Sequence, residues 1–184
     1  LFGMSLLHKW GGGLQPDLPT VEDAYDEFLV TADGTELIDA AAGAAVANLG
    51  HSLPVGDAFA DQADAASYVS LSHFRHDAPE RLGEKLATLA PGDLNVAFLV
   101  NSGSEANETA FKLARAYHEA SGRPHKRKVI GRWQSYHGCT LGALSASGNT
   151  QRRRTYDPML SDWPHVSAAY PYRWDYDGTP EEQA

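Results

Sequence analysis

Residues 96–117 read "VAFLVNSGSEANETAFKLARAY", and the stretch stops being apolar just where it becomes helical. Val96 to Val100 form an unbroken apolar run preceded by the turn-forming "PGD" at 91–93. The run fits a strand buried on both faces. Ala106, Ala110, Leu113, Ala114 and Tyr117 then recur at helical spacing, with Glu108 and Lys112 set at i,i+4 as a solvent-side pair. Ser121-Gly122-Arg123-Pro124 supplies the stop. "KVIGRW", Lys128 to Trp133, reads as the next strand, so residues 96–133 predict one right-handed βαβ unit.

The corner between strand and helix is Asn101-Ser102-Gly103-Ser104. In a parallel sheet, ligands collect beyond the carboxyl ends of strands, where a starting helix offers unpaired N–H groups and a positive dipole end. Gly103 lets a ligand approach the backbone, and the Ser102 and Ser104 hydroxyls can add donors around a dianion. Taken alone, the same residues also suit a plain helix cap and turn. The corner matches neither G-x-G-x-x-G, nor G-x-x-x-x-G-K-[ST], nor G-x-S-x-G. A second stretch, "SYHGCTLGALSASG" from Ser135 to Gly148, follows the strand ending at Trp133 and so falls near the same sheet edge. There Tyr136 offers a flat face for an aromatic ring. A phosphate cup beside a stacking ring describes a phosphorylated aromatic cofactor.

Working outward, "FLVTADGTELID" (Phe28 to Asp39) predicts a β-hairpin turning at Asp33-Gly34 in a type I′ turn. A small-residue, Gly-rich connection follows, then a helix from Val55 to about Val69. The next helix is punctuated by Asp77 as cap, Pro79 in its first turn and Glu80 completing a capping box; Leu82, Leu86 and Leu89 share one face. The formal charge of −9 disfavours a nucleic-acid partner. Cys139 is the single cysteine, so no intrachain disulfide can form. No apolar run approaches the ~20 residues that span a bilayer, so no membrane role and a cytoplasmic location are expected. His73 and His76 stand H-x-x-H with no second pair or neighbouring cysteine, and no metal is expected. The basic runs "HKRK" (His125 to Lys128) and "RRR" (Arg152 to Arg154) read as solvated, with an arginine near the site able to clamp a substrate carboxylate.

Three stretches, "DGTELIDAAAGAAVANLGHSLP", "NSGSEANETAFKLARAY" and "SYHGCTLGALSASG", resemble in order the N-terminal motifs of the class III, or ω-type, aminotransferases. That resemblance implies an α/β chain of the pyridoxal-phosphate-dependent fold type I. Residues 1–54 would be an N-terminal small-domain segment with the hairpin and linker. Residues 55–184 would be the first part of the large, mostly parallel-sheet domain, apparently truncated. It implies pyridoxal 5′-phosphate as cofactor, with Gly103 and Ser104 giving N–H groups to its phosphate, Ser102 beside them, Tyr136 stacking on its ring and His137 shaping that wall. Glu105 matches the family's acidic position at the helix start, and it also suits the helix dipole there. Transfer of an amino group from an amine or amino acid donor to a keto acid or aldehyde acceptor is implied, on a homodimer. Many relatives place a bulky aromatic two residues after the first glycine of "GAAVANLGH"; here that position is Ala45, consistent either with small-residue packing or with a roomier substrate pocket.

The family's Schiff-base lysine and its pyridine-binding aspartate lie well downstream of these motifs. None of Lys9, Lys85, Lys112, Lys126 and Lys128 lies in a segment resembling that lysine's surroundings. No catalytic residue is therefore expected in this chain, which on its own is expected to be inactive. The alternative is a non-catalytic truncated remnant, or a phosphate-binding or assembly module.

Overall fold

The computed structural model describes residues 18–173; residues 1–17 and 174–184, and the side chains of residues 44, 45 and 171, lie outside that description. The chain divides into two compact units, Leu1–Arg75 and His76–Ala184.

The first unit is built on an antiparallel meander of β1 (Val21–Tyr25), β2 (Phe28–Thr31) and β3 (Glu36–Ile38). The expected hairpin is present, with Phe28 opposite Ile38 and Val30 opposite Glu36. Its turn differs from the type I′ expectation, because only Gly34 has a positive φ (+81°). Gly34 N–H donates to Thr31 O at 2.8 Å and Thr31 N–H to Thr35 O at 3.0 Å, the pattern of a longer turn closed by a left-handed glycine. The Asp33 side chain explains the choice: its Oδ1 accepts from Thr31 Oγ1 at 2.6 Å and from Thr35 N–H at 3.1 Å. Those bonds, the Thr31 hydroxyl first, hold the Asp33 carboxyl below its ordinary pKa. Strand β1 was not expected from the sequence; it joins β2 through Asp26, whose N–H donates to Ser52 Oγ at 2.8 Å and whose carbonyl accepts from His51 N–H at 2.8 Å. Helices α1 (Ala42–Ala45) and α2 (Val55–Ala66) complete the unit.

The second unit opens with α3 (Asp77–Leu89), whose cap is His76 rather than Asp77: His76 Nδ1 accepts from Ala78 N–H at 3.1 Å. Helix α4 (Gly103–Ala120) begins and ends where the sequence predicts. Then come β4 (Gly131–Trp133), α5 (Leu141–Ala146), β5 (Ser147–Gly148), α6 (Thr150–Arg153) and β6 (His165–Val166). The three short strands form a parallel sheet in the order β5-β4-β6. Ala143, Leu144, Ser145, Ala146 and Ser147 are buried, so α5 and the start of β5 are the centre of this unit.

Two expectations fail here. Residues 94–100 run without ladder partners among the described residues, and Val96 and Phe98 are 91% and 75% exposed. No βαβ unit therefore spans 96–133; the parallel crossover runs instead from β4 through α5 to β5. The apolar stripe of α4 is also exposed, with Leu113 and Tyr117 at 67% and 60%, while Glu108 turns inward instead of pairing with Lys112.

Candidate functional site

Ser102 ends its extended approach at φ −154° and ψ 159° and caps α4, its Oγ accepting the Glu105 N–H at 3.2 Å. Glu105 reaches back the other way, its Oε2 accepting the Asn101 N–H at 2.9 Å. This is a capping box drawn one residue further out than usual. Ala106 N–H already bonds Ser102 O at 3.0 Å, which leaves the amides of Gly103 and Ser104 with no hydrogen-bond partner among the described residues. A Cβ built on Gly103 meets no atom within 4 Å, so packing does not demand glycine there. The space at the Gly103 α-carbon is open.

Ser104 is buried, and its Oγ accepts the Cys139 N–H at 3.0 Å. With Ser102 Oγ also occupied as an acceptor, the serines can add only hydroxyl protons to an anion. Ser104 shares its contact with Asn107 and Glu108, one face of α4 at i, i+3 and i+4. Asn107 Nδ2 donates to His137 O at 2.5 Å, and Glu108 Oε1 accepts from Thr140 Oγ1 at 2.6 Å and from Ala143 N–H at 3.1 Å. These three side chains hold the 137–143 loop against the start of α4. Gly138 makes the approach possible: its φ is +139°, and a Cβ there would lie 2.5 Å from Ser104 Oγ and 2.8 Å from Ala143 Cβ.

His137 is fixed on several sides, donating its N–H to Ser147 Oγ at 2.9 Å and placing Nε2 3.1 Å from Ser135 Oγ. Tyr136 is half exposed, and the Arg152 guanidinium carbon lies 4.7 Å from its ring centroid. Arg153 is 13% exposed, and its Nη1 points at the carbonyls of Leu144, Ser145 and Ser147 at 3.0, 2.9 and 2.8 Å. The expectation of a solvated "RRR" run therefore fails for both: one arginine stacks, the other ties off the end of α5. A polar hollow of about 370 Å³ opens beyond the carboxyl ends of β4 and β5, lined by Gln134, Gly148, Asn149, Thr150 and Gln151.

The cup residues Ser102, Gly103 and Ser104 and the loop bearing Tyr136 and His137 are thus brought together, 35 residues apart in sequence at the Ser104–Cys139 contact. Ala45 ends α1, and its side chain lies outside the described residues. His76 caps α3, and His73 Nδ1 lies 3.2 Å from Ser70 Oγ. Sequence reasoning missed Asn107, took Glu108 for a solvent-side partner of Lys112, and took Arg152 and Arg153 for part of a solvated run. The signal for the first two was the polar E-A-N-E spacing, which places side chains on the face of α4 that meets the loop.

The profile described as aminotransferase class-III matches residues 15–184. The chain belongs to the class-III aminotransferase family. Members of this family are pyridoxal-phosphate-dependent, and the fold is that of the fold type I transferases. The chain is 37% identical over 169 residues to "Uncharacterized aminotransferase YodT" of Bacillus subtilis (strain 168), covering 89% of this chain and 38% of that one. It is equally 37% identical, over 156 residues, to "Isoleucine 2-epimerase" of Lentilactobacillus buchneri, covering 83% of this chain and 33% of that one. Among solved structures, the omega transaminase from Pseudomonas jessenii in complex with PMP superposes with a TM-score of 0.85 at 31% identity, covering 97% of this chain and 40% of that one. This class-III aminotransferase chain therefore spans about two fifths or less of the length of these relatives. Among the described residues no helix is long and apolar enough to cross a membrane.

Proposed function

We propose that this chain supplies the phosphate cup and the ring wall of a pyridoxal-phosphate enzyme. The enzyme moves an amino group from an amine or amino acid to a keto acid or aldehyde, as a homodimer. The observation that carries the reading is the pair of amides at Gly103 and Ser104, unpartnered among the described residues, at a helix N-terminus with open space where a Gly103 side chain would stand. The fit extends to the wall: Tyr136 is braced from one side by Arg152 and carried on a loop pinned to the same helix turn. When bound, the cofactor supplies an electron-withdrawing ring that stabilises negative charge at the donor's α-carbon. The residues of this chain bind and orient: Gly103 and Ser104 by N–H donation to the phosphate, Ser102 by its hydroxyl proton, Tyr136 by stacking, and His137 by setting the edge of that wall. Ala45 stands as the small residue of a roomier substrate pocket. Residues 1–54 are assigned to the small domain and 55–184 to the large one.

The lysine that binds the cofactor covalently is assigned to residues beyond these five lysines. Lys85 and Lys112 are exposed on α3 and α4, Lys126 and Lys128 follow α4, and Lys9 lies outside the described residues. The 184-residue chain alone is accordingly assigned no turnover. The test is an amide-resolved titration of the chain with pyridoxal 5′-phosphate. Gly103 and Ser104 should shift together and saturate, Gly103→Val should abolish the response, and borohydride should leave no lysine of the chain uniquely modified. Saturation with unmoved Gly103 and Ser104 amides would refute the cup.

A further inference from the structure

Residues 39–51 leave the hairpin and return to it at one place. Asp39 N–H donates to Glu27 O and His51 N–H to Asp26 O, both at 2.8 Å, so the two ends of the segment are tied to consecutive residues of the β1–β2 turn. A segment whose ends meet in this way is an Ω-loop. Inside it, Val46 and Ala47 both donate their N–H groups to Ala42 O, at 2.7 and 3.0 Å, and Gly50 N–H donates to Ala47 O at 3.0 Å. Gly50, at φ +78°, passes so near the turn that a Cβ there would collide with Asp26 O.

One pair of side chains closes the neck. His51 Nε2 lies 3.1 Å from Asp39 Oδ2, and because a carboxylate only accepts, the imidazole donates. Both side chains are largely buried, at 23% and 15% exposure, so water competes weakly for either. The second oxygen, Asp39 Oδ1, accepts the Ala42 N–H at 2.8 Å. Ala42 stands at φ +44°, a left-handed conformation that a residue with a Cβ avoids. The carboxylate thus holds the residue at which the chain enters α1, and the imidazole holds the carboxylate. Val46 and Leu49 are 84% and 79% exposed, so burial of these two side chains does little to fix the loop. Its shape rests on the polar bonds at its neck.

We propose that Asp39 and His51 are positioning residues that latch the 39–51 loop and, through Ala42, set where α1 presents Ala45. The proposal rests on the reading of Ala45 as the small residue of a substrate pocket. It makes the place of that pocket wall depend on a histidine–carboxylate pair at the foot of the loop.

Residue-resolved hydrogen exchange on the isotopically labelled 184-residue chain, without ligand, is the test. His51→Ala should lower protection at Ala42, Val46, Ala47 and Gly50 by about tenfold or more, the loss expected when a hydrogen bond to a charged acceptor goes. The ladder amides of β2 and β3 should keep their wild-type protection. His51→Gln brings a side-chain N–H donor back within reach of the same carboxylate and should restore the loop to within about threefold of wild type. Asp39→Ala should be at least as damaging as His51→Ala, and the double variant no worse than Asp39→Ala, because His51 acts through that carboxylate. Unchanged loop protection in His51→Ala, a loss shared equally by the hairpin, or a His51→Gln chain as unprotected as His51→Ala would each overturn the latch. A refuted pocket would leave these protection values untouched, so the two failures are read separately.

Discussion

Glu108 ties the cup helix to the ring-bearing loop, and removing its carboxylate should cost more than an ordinary helix cap. Thr140 stands at the N-cap of α5 but makes no side-chain cap bond to its own helix; it donates to Glu108 instead, and the same Glu108 oxygen accepts the Ala143 N–H. Glu108 is thus the cap of α5, delivered from α4. Ala143 is fully buried, so its N–H has no water to turn to. Two hydrogen bonds to a charged acceptor contribute ~1.5 kcal/mol each at the lower end, so Glu108→Ala should destabilise by about 3 kcal/mol, against ~1 kcal/mol for a typical cap. Glu108→Gln keeps an acceptor and loses the charge, for a cost of about 1 kcal/mol. Thr140→Val removes one of the two bonds, and a double-mutant cycle with Glu108→Ala should return a coupling of about 1 kcal/mol. Urea unfolding followed by tryptophan fluorescence reads the totals, and hydrogen exchange at Cys139 and Ala143 reads whether the loop is what loosens. A cost for Glu108→Ala below about 0.5 kcal/mol, or strict additivity with Thr140→Val, would refute the reasoning.

Arg153→Lys keeps the charge but cannot span three carbonyls with one planar group, and should lower stability by about 2 kcal/mol in the same unfolding assay; an effect indistinguishable from zero would show that the carbonyls are satisfied without it. Asp33 is held below its ordinary value of 3.8 by hydrogen bonds to its ionised form, so its contribution to the hairpin is complete above pH 3.8 and is lost as pH falls through the lower folded-state value. Exchange protection at Thr35 should decline in that acid window and be flat in Asp33→Asn. Tyr136→Phe keeps the ring that Arg152 covers and should leave pyridoxal-phosphate affinity nearly unchanged, whereas Tyr136→Ala should weaken it by ~1 kcal/mol or more, as read by the same amide titration.

The parts of the fold that were legible in the sequence are those decided by neighbours within a few residues. Helix α4 starts at Gly103 because Ser102 and Glu105 are spaced to cap it, and it ends after Ala120 because Gly122 can turn left-handed. The hairpin was legible for the same reason, while its turn type was not: a carboxylate at Asp33 that bonds Thr31 and Thr35 outweighs the bare preference of Asp-Gly for a two-residue turn. Long-range partners stayed hidden. Glu108 four residues before Lys112 looks like a surface ion pair, and only the fold reveals that a loop of unpaired backbone groups needs that carboxylate more. The same holds for Arg153, which reads as one charge in a basic run and is a donor to the carbonyls at the C-terminal end of a short helix.

The segment before the cup shows the limit from the other side. Five apolar residues predict a strand only if ladder partners exist on both sides, and within the described residues they do not. Yet the corner that follows is fully formed. Asn101 donates its N–H to Glu105 rather than to a neighbouring strand, Ser102 caps the helix, and Ser104 bonds the Cys139 amide. The geometry of the two open amides is therefore set by the first turn of α4 and the loop pinned to it, and does not wait on the sheet. That is why "NSGSEANE" was legible as the start of a helix while the strand beside it could not be placed.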